Sequence, residues 1–556
     1  MPVRFAAHPA VIQLYRTRGL CLPLGRVAYV ITDSLPYYRR TNLYPMKRSL
    51  LSLLLAVLCL SAGARQQRQQ CVPVLTTQEE VDNFPKLTCE VIGLVIQGSR
   101  APGGIRNLDA LKSLTSVTGS VHLSLSGVES IEGLENLATV GGDFSISGMD
   151  EISSLLVDDF SALSSVGGQL NIRGNPGLTI LHSFWKLRSA KTVDIGDNRR
   201  LEDVRGFPLF NTTTFFTISY CPSLADISGF DNLTSVYPAK EGEGSILYIG
   251  NNPALRTITG FKGLGKVDEM MLTTNRSLAD IPSFNGLKEF NSIAIGSDSA
   301  LVDISGFNGG FTEGGSLTIS RNPKLRAVTG FNGLKAKTLA INSNEALAEI
   351  AGFDDVDAST INIGYHDNLV KISGFRNIGA AETLSITDNG KLETVSGFDR
   401  LKELKSLFIS RNGSIATLAG SFPSLDQALL EQLSVNNNPR LSFCSAPWMC
   451  AFMRDNMRGN QVHSNAPGCQ GPNEVLAGCN PLAAAEEERP APPMFPNPTT
   501  GHLRFGRHLR FTIYDGLGRP VLKGEGEGVS VSALAPGVYV LRTGENEEKA
   551  YRFVKE

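Results

Sequence analysis

Aromatic residues make up only 7% of this 556-residue sequence, while glycine contributes 56 residues. That balance suits many short strands and turns better than a large helical core. Excess charge is lacking too: the formal net charge of −2 offers no general attraction to nucleic acid or other polyanions. No stretch after residue 64 approaches the roughly 18 uninterrupted apolar residues of a membrane span, so no transmembrane anchor is expected. The sequence has no nucleophile elbow, no H-E-x-x-H and no Gly-rich phosphate loop. No cysteine pair has C-x-x-C spacing, which argues against a zinc ribbon. A non-catalytic protein with no metal and no cofactor is therefore expected.

Export is written near the amino end. Met46-Lys47-Arg48 opens a basic region, Ser49–Leu60 is an apolar core, and Ala62 and Ala64 offer an A-x-A cleavage site. This is the layout of a secretory signal peptide over 46–64. Residues 1–45 then read as an over-extended start or an extension. Without residues 1–64 the chain keeps 44 Lys and Arg against 53 Asp and Glu, a net charge of −9. An oxidising destination makes disulfides plausible for Cys71, Cys89, Cys444, Cys450, Cys469 and Cys479.

The body of the chain is a repeat. The core L-x-I-x-x-N appears as LNIRGN at Leu170, LYIGNN at Leu247, LTISRN at Leu317, LSITDN at Leu384 and LFISRN at Leu407, with most starts 22 to 24 residues apart. A larger step carries the inserted loop Tyr237–Ser245. Leu, then Val or Ile, then Phe come after the core at steps of three, as in Leu278, Ile281 and Phe284. Such self-similarity predicts a solenoid, because one coil cannot bury its apolar side alone. Alternation in L-x-I turns the apolar pair inward.

The asparagine closes each coil. Where the chain leaves the strand, buried backbone groups lose their ladder partners, and an inward amide both donates to and accepts from them. Its occupants are Asn175, Asn198, Asn252, Asn275, Asn322, Asn344, Asn389, Asn412 and Asn438. Cys221, Asp298 and His366 hold the same position and read as substitutes in the ladder, not as reactive groups.

The pattern L-x-I-x-x-N-x-x-L-x-x-I-x-G-F-x-x-L resembles the receptor L-domain family, relatives of leucine-rich repeats, over roughly Cys71 to Asn480. The resemblance implies a mainly β, right-handed leucine-rich-repeat-like solenoid of 22- to 24-residue coils over 94–441. It also implies an amino-terminal cap over 65–93 with Cys71 bonded to Cys89, and a Cys-rich cap over 442–480 whose pairing stays open.

Residues 481–493 are rich in Ala, Glu and Pro, as in a linker. Residues 494–556 have short strands and turn signals that fit a small β-sandwich. Pro496-Asn497-Pro498, Thr512–Tyr514 leading to Gly518-Arg519, and "LAPGVY" (Leu534–Tyr539) resemble a type A sorting domain of the type IX secretion system. That resemblance implies passage through the periplasm of a gram-negative bacterium and engagement of the secretion machinery. It also implies cleavage of the tail, with release or attachment to surface lipopolysaccharide.

The expected function is adhesion or recognition of an extracellular protein or glycan. The sparse large outward residues Arg173, Tyr220, Tyr248, Arg321, Tyr365, Phe408 and Arg411 are the candidate binding face, since Tyr and Arg favour interfaces. The alternatives are a polysaccharide-active parallel β-helix enzyme, with Asp354, Asp355 and Asp357 as a calcium site, and a structural surface-layer component.

Overall fold

A computed structural model describes residues 69–238, 240, 242–455, 461–479, 498–543 and 549–556. The expected extension, signal peptide and linker lie outside the described residues.

Each L-x-I core is a strand, and each pairs in parallel with the same positions one coil away. Leu384 lies between Ile361 and Leu407, and Ile386 between Ile363 and Ile409. Leu384 and Ile386 are fully buried. A one-residue slip would expose both, so the register is pinned by burial. The sheet runs from Val74–Leu75 to Gln461–His463 without a break, so both caps contribute a strand. The insertion at Tyr237–Ser245 does not divide it, because Thr217 still pairs with Tyr248. The result is a mainly β, right-handed solenoid.

The Val and Ile positions form two-residue strands on the opposite side, such as Asp203–Val204 and Asp226–Ile227. Between the two sides runs a spine of phenylalanines. Phe284, Phe307 and Phe331 stack with centroids 5.1 and 4.6 Å apart, and stacking continues through Phe375 and Phe398 at 5.1 Å. The residue before the Phe is commonly Gly for a steric reason. A Cβ on Gly330 or Gly374 would lie 1.9 Å from the carbonyl oxygen of Gly306 or Gly352 in the preceding coil.

The caps end this stack. At the amino end, helix Gln78–Asp82 starts with a capping box between Thr77 and Glu80, and Cys71 bonds Cys89. At the other end, helices Pro447–Asp455 and Pro472–Cys479 are tied to each other by Cys450–Cys479, and the segments preceding them by Cys444–Cys469. Trp448 meets Phe422 edge-on at 5.6 Å and covers the end of the spine.

The carboxy-terminal unit is a four-stranded antiparallel sheet of His502–Tyr514, Pro520–Ser530, Gly537–Thr543 and Lys549–Lys555. The small sandwich expected from the sequence takes the form of this one sheet. A register shift between Arg504 and Leu509 interrupts its first strand, and such bulges bend a strand. Its own core holds Phe505, Phe511, Ile513, Leu541 and Phe553. Pro496 and Asn497 lie outside the described residues, but the other two motifs have structural jobs there. Asp515 accepts the backbone N–H groups of Leu517 and Arg519 at 3.0 and 2.9 Å, closing the tight turn. The Tyr539 hydroxyl donates to the Ala535 carbonyl at 2.9 Å and fixes the "LAPGVY" bend.

Candidate ligand-binding face

The strand ends are set by the asparagine ladder. The Asn412 amide Nδ2 donates to the Ile386 carbonyl of the previous coil at 2.9 Å, and its Oδ1 accepts the backbone N–H of Asn389 at 3.2 Å. All nine expected asparagines are fully buried. The ladder also continues one coil further than expected: Asn465 Oδ1 accepts the Asn438 N–H at 3.0 Å. The intervening helix hides that coil from a simple repeat search, although Val462-x-x-Asn465 keeps the end of the motif.

The three substitutes fit to different degrees. Cys221 is buried and outside any disulfide, its N–H donating to Asn252 Oδ1 at 3.0 Å, and burial pushes its thiol up to about 11. It is therefore an inert thiol. His366 accepts the Asn344 N–H on Nδ1 at 3.2 Å and faces the Ile341 carbonyl with Nε2 at 3.0 Å. A neutral ring with its proton on Nε2 reproduces both bonds of an asparagine, and burial lowers its pKa in that sense. Asp298 accepts the Asn275 N–H at 2.6 Å, but its Oδ2 is buried without a partner among the described residues. Burial pushes this carboxyl up to about 7.

Immediately before the ladder position the backbone turns left-handed in coil after coil: Asp197, Tyr220, Asn251, Thr274, Ser297, Arg321, Ser343, Tyr365, Asp388, Arg411 and Asn437 have φ between 52° and 61°. In ten of these eleven the N–H inherits a sheet partner, as where Tyr365 donates to the Thr387 carbonyl at 3.2 Å. Asn, Asp and Ser tolerate this conformation; a bulky residue is held there against a strain of order 1 kcal/mol. Four of the seven candidate face residues, Tyr220, Arg321, Tyr365 and Arg411, occupy this strained corner. Tyr248 and Phe408 lie on the sheet face, and Arg173 ends its strand. The seven thus fall into three columns.

They also differ in freedom. Arg173 is engaged by Asp194 at 2.7 Å and by Asp197. Arg411 forks onto Asp388 at 2.5 and 2.7 Å. The Tyr248 hydroxyl accepts from Asn251 Nδ2 at 2.7 Å. Tyr220 and Tyr365 are exposed, at 53% and 59%.

Tyr220 lies in a groove of about 750 Å³ that crosses five coils. The left-handed residues Asp197, Tyr220, Asn251 and Thr274 line it. So do Pro176, Arg199, Pro222, Pro253 and Arg276, the residues just after the ladder. The neighbouring sheet face in these coils is unusually apolar: Phe215 pairs with Ile246, and Tyr248 with Met271, with Phe215 and Met271 each 37% exposed. Further along, the column of Phe215 holds Ser316, Thr338, Thr360 and Thr383. Aromatic, apolar and cationic groups therefore collect on one set of coils, beside the inserted loop. Arg199 and Arg276 come after the ladder residue rather than lying on the strand, which is why strand alternation did not find them.

The acidic run does not converge. Asp354 accepts the N–H of Arg376 at 3.4 Å, and Asp355 accepts Asn377 Nδ2 at 2.7 Å, each bond linking adjacent coils. No group of three His, Cys, Asp or Glu side chains among the described residues could hold a metal ion. Among the described residues no helix is long and apolar enough to cross a membrane.

The fold and this face define a repeat solenoid with one differentiated surface, joined to a small β unit. Residues 493–556 match the family described as the secretion system C-terminal sorting domain, which supports a secreted, cell-surface protein of a gram-negative bacterium. No curated protein matches the chain. Among solved structures, the crystal structure of a TLR13–ssRNA13 complex is similar at 15% identity and a TM-score of 0.19. The alignment covers 67% of this chain and 66% of that one, and at that score the likeness carries no argument.

Proposed function

We propose that this protein is a leucine-rich-repeat-like relative of receptor L domains, displayed on the outer cell surface to bind an extracellular protein or glycan, with no catalytic role. The observation that carries this reading is the groove around Tyr220. The exposed Tyr220 ring and two cationic side chains line it together, in the same coils whose sheet face carries the part-exposed Phe215 and Met271. In the same reading the tail is a type A sorting domain of the type IX system. It is removed after passage through the periplasm, and the solenoid is released or joined to surface lipopolysaccharide.

An array of glycans and extracellular proteins, probed with the mature chain and with Tyr220→Ala, tests the binding reading. Binding of a defined ligand class, lost in the variant, is the expected result. Cleavage of a polysaccharide, abolished by substituting Asp354, Asp355 and Asp357, would overturn it in favour of an enzyme.

A further inference from the structure

We infer that the groove around Tyr220 takes an anionic glycan, lying along the solenoid axis with its acid groups on Arg199 and Arg276 and a sugar face on the Tyr220 ring. The inference rests on the binding reading above and narrows it to one ligand chemistry.

Charge is the first ground. The net charge without residues 1–64 is −9, yet the groove lining holds two guanidinium groups and a single carboxylate, Asp197. That carboxylate is already held by Arg173. Neither the Arg199 nor the Arg276 guanidinium has an ion-pair or hydrogen-bond partner among the described residues, and both residues are exposed. Other exposed arginines of the solenoid, such as Arg326 and Arg400, also lack an ion-pair partner among the described residues, so what sets Arg199 and Arg276 apart is that they line one groove with Tyr220. An unpaired guanidinium binds carboxylate or sulfate oxygens in a planar, two-bond geometry.

Spacing is the second ground. Arg199 and Arg276 come after ladder residues three coils apart. At the strand separation of a parallel sheet this places their backbones roughly 14 Å from each other. One small anion cannot bridge that distance, but a chain bearing repeated acid groups can. Tyr220 stands between them, half exposed on its left-handed corner. A rigid aromatic face with an outward hydroxyl suits the apolar face and hydroxyl edge of a pyranose ring. An acidic peptide offers the charges but not the flat face, and the open groove has no deep recess for an apolar anchor residue.

The test measures binding of the full mature chain to polygalacturonate, dextran sulfate, neutral dextran and polyglutamate at 0.05 and 0.3 M salt. Polygalacturonate or dextran sulfate should bind, and which one does identifies the acid group. Arg199→Ala with Arg276→Ala should weaken binding at least tenfold, and Tyr220→Ala by a similar factor. The control pair Arg326→Ala with Arg400→Ala, exposed residues outside the groove, should change it less than twofold. An equal loss in the control pair would show unspecific charge attraction and overturn the inference. Tyr220-dependent binding of neutral dextran or polyglutamate would also overturn it, yet leave the binding reading standing. If no probe binds and the array finds no partner, both fall.

Discussion

The imidazole of His366 accepts the backbone N–H of Asn344 at 3.2 Å, the bond that an asparagine oxygen makes in the neighbouring coils. A histidine and an asparagine are thus interchangeable here, provided the ring stays neutral. Burial lowers the His366 pKa, so the folded state binds this proton more weakly than the unfolded chain. The His366 contribution is present above the ordinary histidine pKa, about 6.5, and is lost as pH falls below it. His366→Asn should flatten the acid limb of a Tm–pH curve while leaving Tm at pH 8 within a few degrees. An unchanged acid limb would refute this.

Asp298 has the opposite sign. Its folded pKa is raised to about 7, so its contribution is full below the unfolded value and declines as pH rises from about 4 through 7. Asp298→Asn supplies the missing amide donor. It should stabilise the fold at pH 8 by up to about 4 kcal/mol, at about 1.4 kcal/mol per pKa unit, and change little at pH 4. Calorimetry at the two pH values distinguishes this from a general stabilisation.

Removing a ladder amide should do harm at any pH. Asn412→Ala leaves the Ile386 carbonyl and the Asn389 N–H without their partners. A loss of about 1–3 kcal/mol per unsatisfied buried group is expected in urea unfolding. Because each coil contacts only its neighbours, hydrogen exchange should rise first in the coils around Asn389 and Asn438.

Truncating the spine should be costlier. Phe307 stacks on both Phe284 and Phe331 and is fully buried, so Phe307→Ala should lose about 3–5 kcal/mol. A loss under about 1 kcal/mol would mean that the coils collapse onto the space.

Deleting residues 494–556 should strand the protein in the periplasm. Tyr539→Phe, which removes only the hydroxyl bond to the Ala535 carbonyl, should reduce surface display less than the deletion does. Fractionation and surface labelling report both. Normal display of the truncated chain would defeat the sorting assignment.

The sequence alone determined the coil. Leu384, Ile386, Asn389 and Phe398 recur at fixed spacing because each must meet its equivalent in the next coil, and that demand leaves a period in the chain. It also determined that Cys221, Asp298 and His366 stand in for asparagine, since their place in the period is unambiguous. Only the tertiary structure decided which outward residues are free. Arg173 meets Asp194 and Asp197, and Arg411 meets Asp388, across coil boundaries whose register no local pattern encodes. Only the fold, too, shows that Tyr220 and Tyr365 sit on left-handed corners, because backbone strain of that kind is imposed by coil closure and not by the residue itself. The groove that joins Arg199, Tyr220 and Arg276 exists only when five coils are stacked. A binding surface assembled from different coils has no contiguous sequence to betray it.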